Sequence, residues 1–451
     1  MNKFSKYITS IFFTVFGLLF LLSPQLTYAE ETKDTICNGV FIDTIDVSGM
    51  TVKEAQEALD NHINKLRNTS FAILVGDKSI IITMGDLDYK YEANNHIRSA
   101  IGLGKSGNLI KRYKDNKDIE YGKKVYPLTY TYDEAKLRKI IEVEAKKLEV
   151  QPVNASYTRE NGVFIYTDHK LGSIMDIEPT FKAVKENLDN WNRMGFVVNA
   201  HVLDVEPEFT RAKLEQKKSV LGEYTTQYTS SSEDRAANLA NGARLINNAL
   251  LYPGDVFSSY DYLLPFSVDN GYYVAGSYNA GRIEQSIGGG ACQVTTTLYN
   301  AVLFSELDVV ERSAHSMTVS YVDLGYDAAI AEGSKNFQFK NNTDMPILIE
   351  AFSEDRKITF RIWGYESRDS NRKIEFINKV IKEISPPSKE KITEDPTKPT
   401  SYKKVTQKAR KGYEAELYKV IYVDGVEVDR VLVNKSYYHA EPAHVTVGTK
   451  K

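Results

Sequence analysis

The chain has 451 residues, 42% of them hydrophobic, with 57 basic against 60 acidic side chains and a formal net charge of −3. That hydrophobic share is enough to bury real cores, which excludes a disordered tether. The near-zero charge lacks the basic excess of a nucleic-acid binder, so no nucleic-acid partner is expected. At ~150 residues per domain the length predicts about three domains.

Lys3 and Lys6 precede an apolar run, Ile11–Leu22, which Pro24 closes; Thr27-Tyr28-Ala29 then stands before Glu30 and Glu31. A basic start, a short apolar stretch and a small residue ahead of an acidic segment predict a secretory signal over residues 1–29. The alternative is a retained anchor, for which the stretch falls short of the ~20 apolar residues of a span. Membrane contact is expected only through this segment, and the rest of the chain is expected outside the cell. Exported proteins use cysteine for disulfides, and the count of two permits a Cys37–Cys292 bridge. Such a bridge would join the N-terminal region to a glycine-flanked motif far along the chain.

From Gly39 the order is strand, then helix. Phe41, Ile45 and Val47 predict a strand ending at Ser48-Gly49, and Thr51 with Glu54 three residues on forms a capping box for the next helix. Phe71–Val75 and Ser79–Thr83 predict a hairpin around Gly76-Asp77. Thr131–Leu148 is a second helix, with Leu137, Ile140, Ile141 and Ala145 on one face. Strands over 155–158 and 163–167 and a helix over 181–191 complete an α+β region, 38–206, of two helix-and-hairpin pieces. The segments Phe41–Thr51, Gly102–Asn108 and Met175–Glu178 resemble the peptidoglycan-binding domain found ahead of wall transpeptidases. The resemblance implies wall binding.

The next block, 219–366, is predicted α+β, with a helix over 236–250 and short strands after Val256. Its informative run is Gly288-Gly289-Gly290-Ala291-Cys292-Gln293-Val294. Val294, Leu298, Ala301 and Val302 fall at helical spacing, so a helix begins close to Cys292. Glycines before it permit a sharp turn and close approach of substrate to bare backbone. A cysteine at a helix start faces the positive end of the dipole, which favours thiolate. The neighbouring N–H groups, with Gly289, Gly290 and Gln293, are candidates to hold an oxyanion. A thiolate needs a basic partner. His315 is the best placed of seven histidines, on a segment to Val322 that alternates as a strand, and Asp327 is the candidate to orient its ring, with Asp323 as rival. Arg282 and Glu284 are candidate substrate contacts. Taken singly, a cysteine or histidine in such apolar company is more often a core residue. Two distant cysteines without a His/Asp/Glu cluster fail zinc spacings, so neither a metal nor another cofactor is expected.

Gly288–Val294, Thr297–Ala301, His315-Ser316-Met317, Val319–Val322, Gly333–Phe337 and Phe339–Thr343 together resemble the VanW domain. Ala291, Thr318 and Tyr326 depart from the residues usual there and leave the Cys292/His315 pair intact. With its cysteine and its flanking domains, that family is similar in role to the cysteine L,D-transpeptidases. These take the terminal D-alanine from a tetrapeptide stem, hold the stem as a thioester and pass it to the diamino acid of a neighbour. The resemblance thus implies an exported enzyme of a Gram-positive type wall, catalytic through Cys292, His315 and Asp327, with peptidoglycan stems and glycan as partners. The alternatives are a cysteine carboxypeptidase on the same stems and a non-catalytic wall adhesin.

The tail, 372–451, is predicted all-β. Pro386–Pro399 reads as an exposed loop or linker, and Glu414–Val423 with Val426–Val433 as a hairpin over Asp424-Gly425. Gln407-Lys408, Gly412-Tyr413, Asp424–Val428 and Val445–Gly448 resemble the G-five domain, with Ala409 in place of a usual glycine. That resemblance implies adhesion to wall glycan.

Overall fold

The computed structural model describes residues 34–92, 95–279 and 282–450; the signal expected over 1–29 lies outside them. The chain is a multidomain α+β protein that divides into two compact units. One takes in the described residues up to Glu149 with Ile174–Leu203; the other takes in Val150–Ser173 and the chain from Asp204 on. The hairpin Ser156–Glu160/Val163–Thr167, read from sequence with the wall-binding region, thus belongs to the second unit. There Tyr157 is buried with Phe209, Leu214 and Leu348, and Arg159 bonds Glu350 at 3.1 Å.

In the first unit the helix Val52–Arg67 starts on Thr51 with both halves of its capping box made. Its buried face of Ala55, Leu59, Ile63 and Leu66 joins the same core as Phe71, Ile73, Ile80 and Ile82 of the hairpin Ser70–Val75/Lys78–Thr83. Val197–Asn199 adds a parallel strand beside Ser70–Val75.

The second unit is built on an antiparallel sheet in the order Ser219–Gln227, Lys357–Gly364, Ile347–Glu354, Ala249–Leu251. Helices Glu233–Ile246 and Ala291–Phe304 pack on it. They approach closely at Gly242, where a Cβ would stand 2.8 Å from Val294. The first of these helices stops earlier than its periodicity predicts. Asn248 takes a left-handed φ of 66° and turns Ala249–Leu251 into the edge strand. Asn tolerates that conformation where most residues do not.

The tail forms two three-stranded sheets. Arg372–Ile384, Gly412–Val423 and Val426–Tyr438 pair antiparallel, with Asp424 (φ 51°) and Gly425 (φ 80°) making the predicted tight turn. His444–Lys450 is the centre of the other, between Lys391–Pro399 and Lys403–Gln407. The segment expected as a linker therefore contains a strand. Its prolines fit because it lies at the sheet edge, with an irregular register between Asp395 and Pro399.

Candidate active site

The hairpin Val274–Asn279/Arg282–Ile287 delivers the chain into the glycine turn. Gly288 and Gly290 have φ of 81° and 115°, open to glycine and strained for other residues. Gly289 has no room for a side chain, since a Cβ there would lie 2.5 Å from the Ala275 carbonyl. Buried Asn238 clamps the turn: its Nδ2 donates to the carbonyls of Gly289 and Tyr273 at 2.9 Å, and its Oδ1 accepts from Tyr273 N–H. The helix then opens at Ala291 with no side-chain cap.

That helix is buried on nearly every side, yet it contains Thr295, Thr296, Thr297 and Asn300. Buried polar groups must find partners, and here the partners are what position the site. Thr295 and Thr296 Oγ1 donate to the Ala328 carbonyl at 2.7 and 3.1 Å, Thr296 Oγ1 accepts from Ala328 N–H, and Asn300 Nδ2 donates to the Tyr326 carbonyl at 2.7 Å. The loop carrying Asp327 is thereby pinned along the helix that carries Cys292.

Cys292, His315 and Asp327 come together. Asp327 Oδ2 accepts from both the backbone N–H and Nδ1–H of His315 at 2.7 Å. With Nδ1 held by the carboxylate, Nε2 faces the other way, toward Tyr321 Oη at 3.5 Å, and His315 stands close enough to act on the Cys292 thiol. Backbone N–H of Ile330 approaches Cys292 Sγ at 3.5 Å. Burial pushes the thiol up, but the hydrogen bond and positive charge of His315, with that N–H, outweigh it and hold Cys292 below the ordinary thiol range. Burial likewise opposes charge on His315. Its bonds to Asp327 and Cys292 prevail and raise it to about 9. Asp327 is held down to about 2 against its burial by His315 and Arg312. Each shift favours the charged form of its group: thiolate, imidazolium and carboxylate.

His315 does not lie on the expected strand. Its backbone N–H goes to Asp327 and the Ser316 carbonyl to His439 N–H, so the ladder bonds a strand needs are spent elsewhere. Asp323, the rival, is exposed.

Cys292 opens on a cleft of about 620 Å³ lined by Ser230–Ser232, Arg235, Ser277, Glu284–Ser286, Gly290, Tyr321 and Glu332. Glu284 thus stands where a substrate contact was expected. Arg282 begins the same strand, and its side chain lies outside what is described. Gln293 points inward. Its Oε1 accepts from Arg235 and its Nε2 donates to Thr226 Oγ1 and the Gln227 carbonyl, each at 2.8–3.0 Å. Both amide hydrogens are used, so the side chain has none left for an oxyanion. Within the turn, Gly289 N–H reaches the Ser286 carbonyl at 3.4 Å and Gln293 N–H the Gly290 carbonyl at 2.9 Å. Among the described residues no backbone partner is found for the N–H groups of Gly290 and Cys292. Sequence reasoning did not assign functional roles to Arg312 and Tyr321, since only tertiary contacts bring them to the pair. Both cysteines are free thiols.

The chain's class is given by what flanks this site. Residues 80–193 match the model described as "Putative peptidoglycan binding domain" and residues 378–450 the G5 domain. These matches support a cell-wall-associated protein. Between them, residues 234–363 match VanW like protein, so the three domain matches fall in the order read from the sequence. It is 37% identical over 131 residues to "Uncharacterized protein YoaR" of Bacillus subtilis (strain 168), covering 29% of this chain and 43% of that one. It is 28% identical over 137 residues to "Vancomycin B-type resistance protein VanW" of Enterococcus faecalis (strain ATCC 700802 / V583), covering 29% and 50%. The chain thus spans half the length or less of these relatives. Among solved structures, that titled "IgA1 Protease G5 domain structure" is similar to 19% of the chain over its whole length, at 27% identity and a TM-score of 0.13.

Proposed function

We propose that this protein is a peptidoglycan L,D-transpeptidase that forms 3-3 stem cross-links through a thioester on Cys292. The observation that carries the reading is the buried Asp327–His315–Cys292 array with its thiol at the floor of a cleft. The match to a peptidoglycan-binding domain supports wall stems as the substrate class.

In the first half-reaction the Cys292 thiolate attacks the carbonyl carbon ahead of the terminal D-alanine. The C–S bond forms, and the C–N bond breaks as His315 Nε2–H gives its proton to the leaving amine. In the second, His315 takes a proton from the side-chain amine of an acceptor stem, which attacks the thioester and returns the thiolate. Asp327 holds the ring in one tautomer through both. Backbone N–H groups of Gly290 and Cys292 are the donors for the oxyanion, taking the part first given to Gln293. Glu284 and Arg282, on the strand that leads into the glycine turn, are assigned to the substrate.

The test is mass spectrometry of purified tetrapeptide stems incubated with the protein and with Cys292→Ala. A dimer lacking one D-alanine, formed only with Cys292 present, is expected. Shortened monomer alone would replace the reading by a carboxypeptidase. No turnover by the folded protein would leave a wall-binding protein without this activity.

A further inference from the structure

The C-terminal hairpin reaches into the site. Asn434, Ser436 and Tyr438 alternate along its second strand with exposed Lys435 and Tyr437, so one face carries all three. Asn434 Nδ2 donates to Tyr299 Oη at 2.8 Å and to the Gly325 carbonyl at 2.9 Å. Ser436 Oγ accepts from Arg312 Nη1 at 2.8 Å. Tyr438, 1% exposed, donates from Oη to Asp327 Oδ1 at 2.6 Å and accepts there from Gly325 N–H at 2.8 Å. Next to it His439 N–H donates to the Ser316 carbonyl at 2.7 Å, beside His315.

The hairpin is docked firmly enough to make these contacts count. Glu306, at the end of the nucleophile's helix, accepts from Lys419 at 2.9 Å and from Arg372, and Tyr326 Oη donates to the Phe376 carbonyl at 2.6 Å. Phe376 packs edge-on against Phe304 with centroids 5.1 Å apart, and Leu417 lies in the VanW domain's own core.

We propose that the G5 domain, besides any role in adhesion, completes the active site, with Tyr438 as a positioning residue for Asp327. The proposal rests on the function assigned to Cys292 and His315. Asp327 Oδ1 is filled by Tyr438 and Arg312, and only Oδ2 is left for His315. A carboxylate bonded at both oxygens cannot rotate away from the imidazole, and outer partners of this kind set ring orientation and basicity. The groups that face the array are Cys292, Tyr321, Arg312, Tyr438 and Tyr299, with Lys335 near the thiol. Of these Tyr438 alone comes from the tail.

The experiment is the pH profile of iodoacetamide alkylation of Cys292, read by mass spectrometry in the full chain carrying Cys37→Ala. Tyr438→Phe keeps the ring and removes only the donor. It is expected to move the alkylation midpoint upward by about one pH unit and to slow labelling below that midpoint ~10-fold. Ser436→Ala, which frees Arg312, is expected to move it the same way by less, and exposed Tyr437→Phe not at all. A Tyr438→Phe midpoint equal to wild type overturns the proposal while leaving the function standing. An ordinary thiol midpoint in the unmutated site overturns both.

Discussion

Each of the two compact units contains a histidine–aspartate pair backed by an arginine. In the first unit His62 Nε2 lies 3.3 Å from Asp43 Oδ2, and Arg193 bonds the other oxygen at 2.6 Å. In the second unit His315 Nδ1 lies 2.7 Å from Asp327 Oδ2, with Arg312 on the other oxygen at 2.9 Å. The residue types are the same, and what surrounds them differs. The second pair is nearly sealed, its side chains 6% and 2% exposed against 18% and 7% for the first. Its histidine also acts on a thiol, Cys292. Both thiols also reach a backbone carbonyl, Cys37 that of Leu103 at 3.3 Å and Cys292 that of Ile330 at 3.4 Å, so that contact does not separate them. The helix starts do differ. Val52–Arg67 is closed by a complete capping box, whereas Ala291–Phe304 opens on a left-handed glycine with no side-chain cap. The first of these two helix starts is closed by its own side chains; the second is left open beside Cys292.

The sharpest way to break this comparison is to make the same substitution in both pairs. Asp327→Asn keeps the size and removes the charge that holds His315 protonated and in one tautomer. Turnover is expected to fall ~10²–10⁴-fold, by the logic of a triad acid replaced by its amide, and Cys292 labelling at pH 6 should fall with it. Asp43→Asn is expected to leave labelling unchanged and to cost the first unit about 1–3 kcal/mol, the range for a buried group losing a charged partner. Equal effects on labelling from the two variants would mean that the pairs are alike.

A smaller effect is expected in the acid limb of stability. Asp327 is held from 3.8 down to about 2 by His315 and Arg312. A depressed carboxylate contributes stability that is present above its unfolded value and lost as pH falls through the folded one. Urea denaturation of the wild-type chain should therefore lose this contribution between about pH 4 and pH 2. Asp327→Asn should be less stable at pH 6 and show a shallower loss over that window. A parallel acid limb in the variant would remove Asp327 from the account.

Much of this was legible in the chain. Hairpins and caps are local, so Thr51/Glu54, Asp424-Gly425 and the glycine run before Cys292 announced themselves by residue type and spacing. His315 and Asp327 were singled out because a thiolate needs a base and a base needs an orienter, and the fold sets them side by side. Other parts depended on long-range contacts. His315 sits on an alternating sequence, but its backbone bonds go to a carboxylate and to the tail, so no strand forms. Gln293 has the right chemistry and the right position for an oxyanion donor, and only its tertiary partners, Thr226, Gln227 and Arg235, remove it. Tyr438 is 111 residues from Asp327, and no local pattern links them.

The smallest effect tests the helix starts. Thr51 accepts from Glu54 N–H at 3.3 Å, and Glu54 Oε2 accepts from Thr51 N–H at 2.9 Å. Thr51→Ala removes the first bond and is expected to cost about 1 kcal/mol, the usual value of a lost N-cap. That cost should be read in the unfolding of the first unit, with Cys292 labelling unaltered. The Cys292 helix has no such side chain to lose, because its first turn faces the cleft and its stability comes from Val294, Leu298 and Val302 in the core. Adding a conventional cap there by Gly290→Ser would test the converse. The new residue would be forced to φ of 115° and strained by ~1–3 kcal/mol, so the substitution should destabilise where a cap normally stabilises. A stabilised Gly290→Ser protein with full Cys292 reactivity would show that the open helix start is not a requirement of the site.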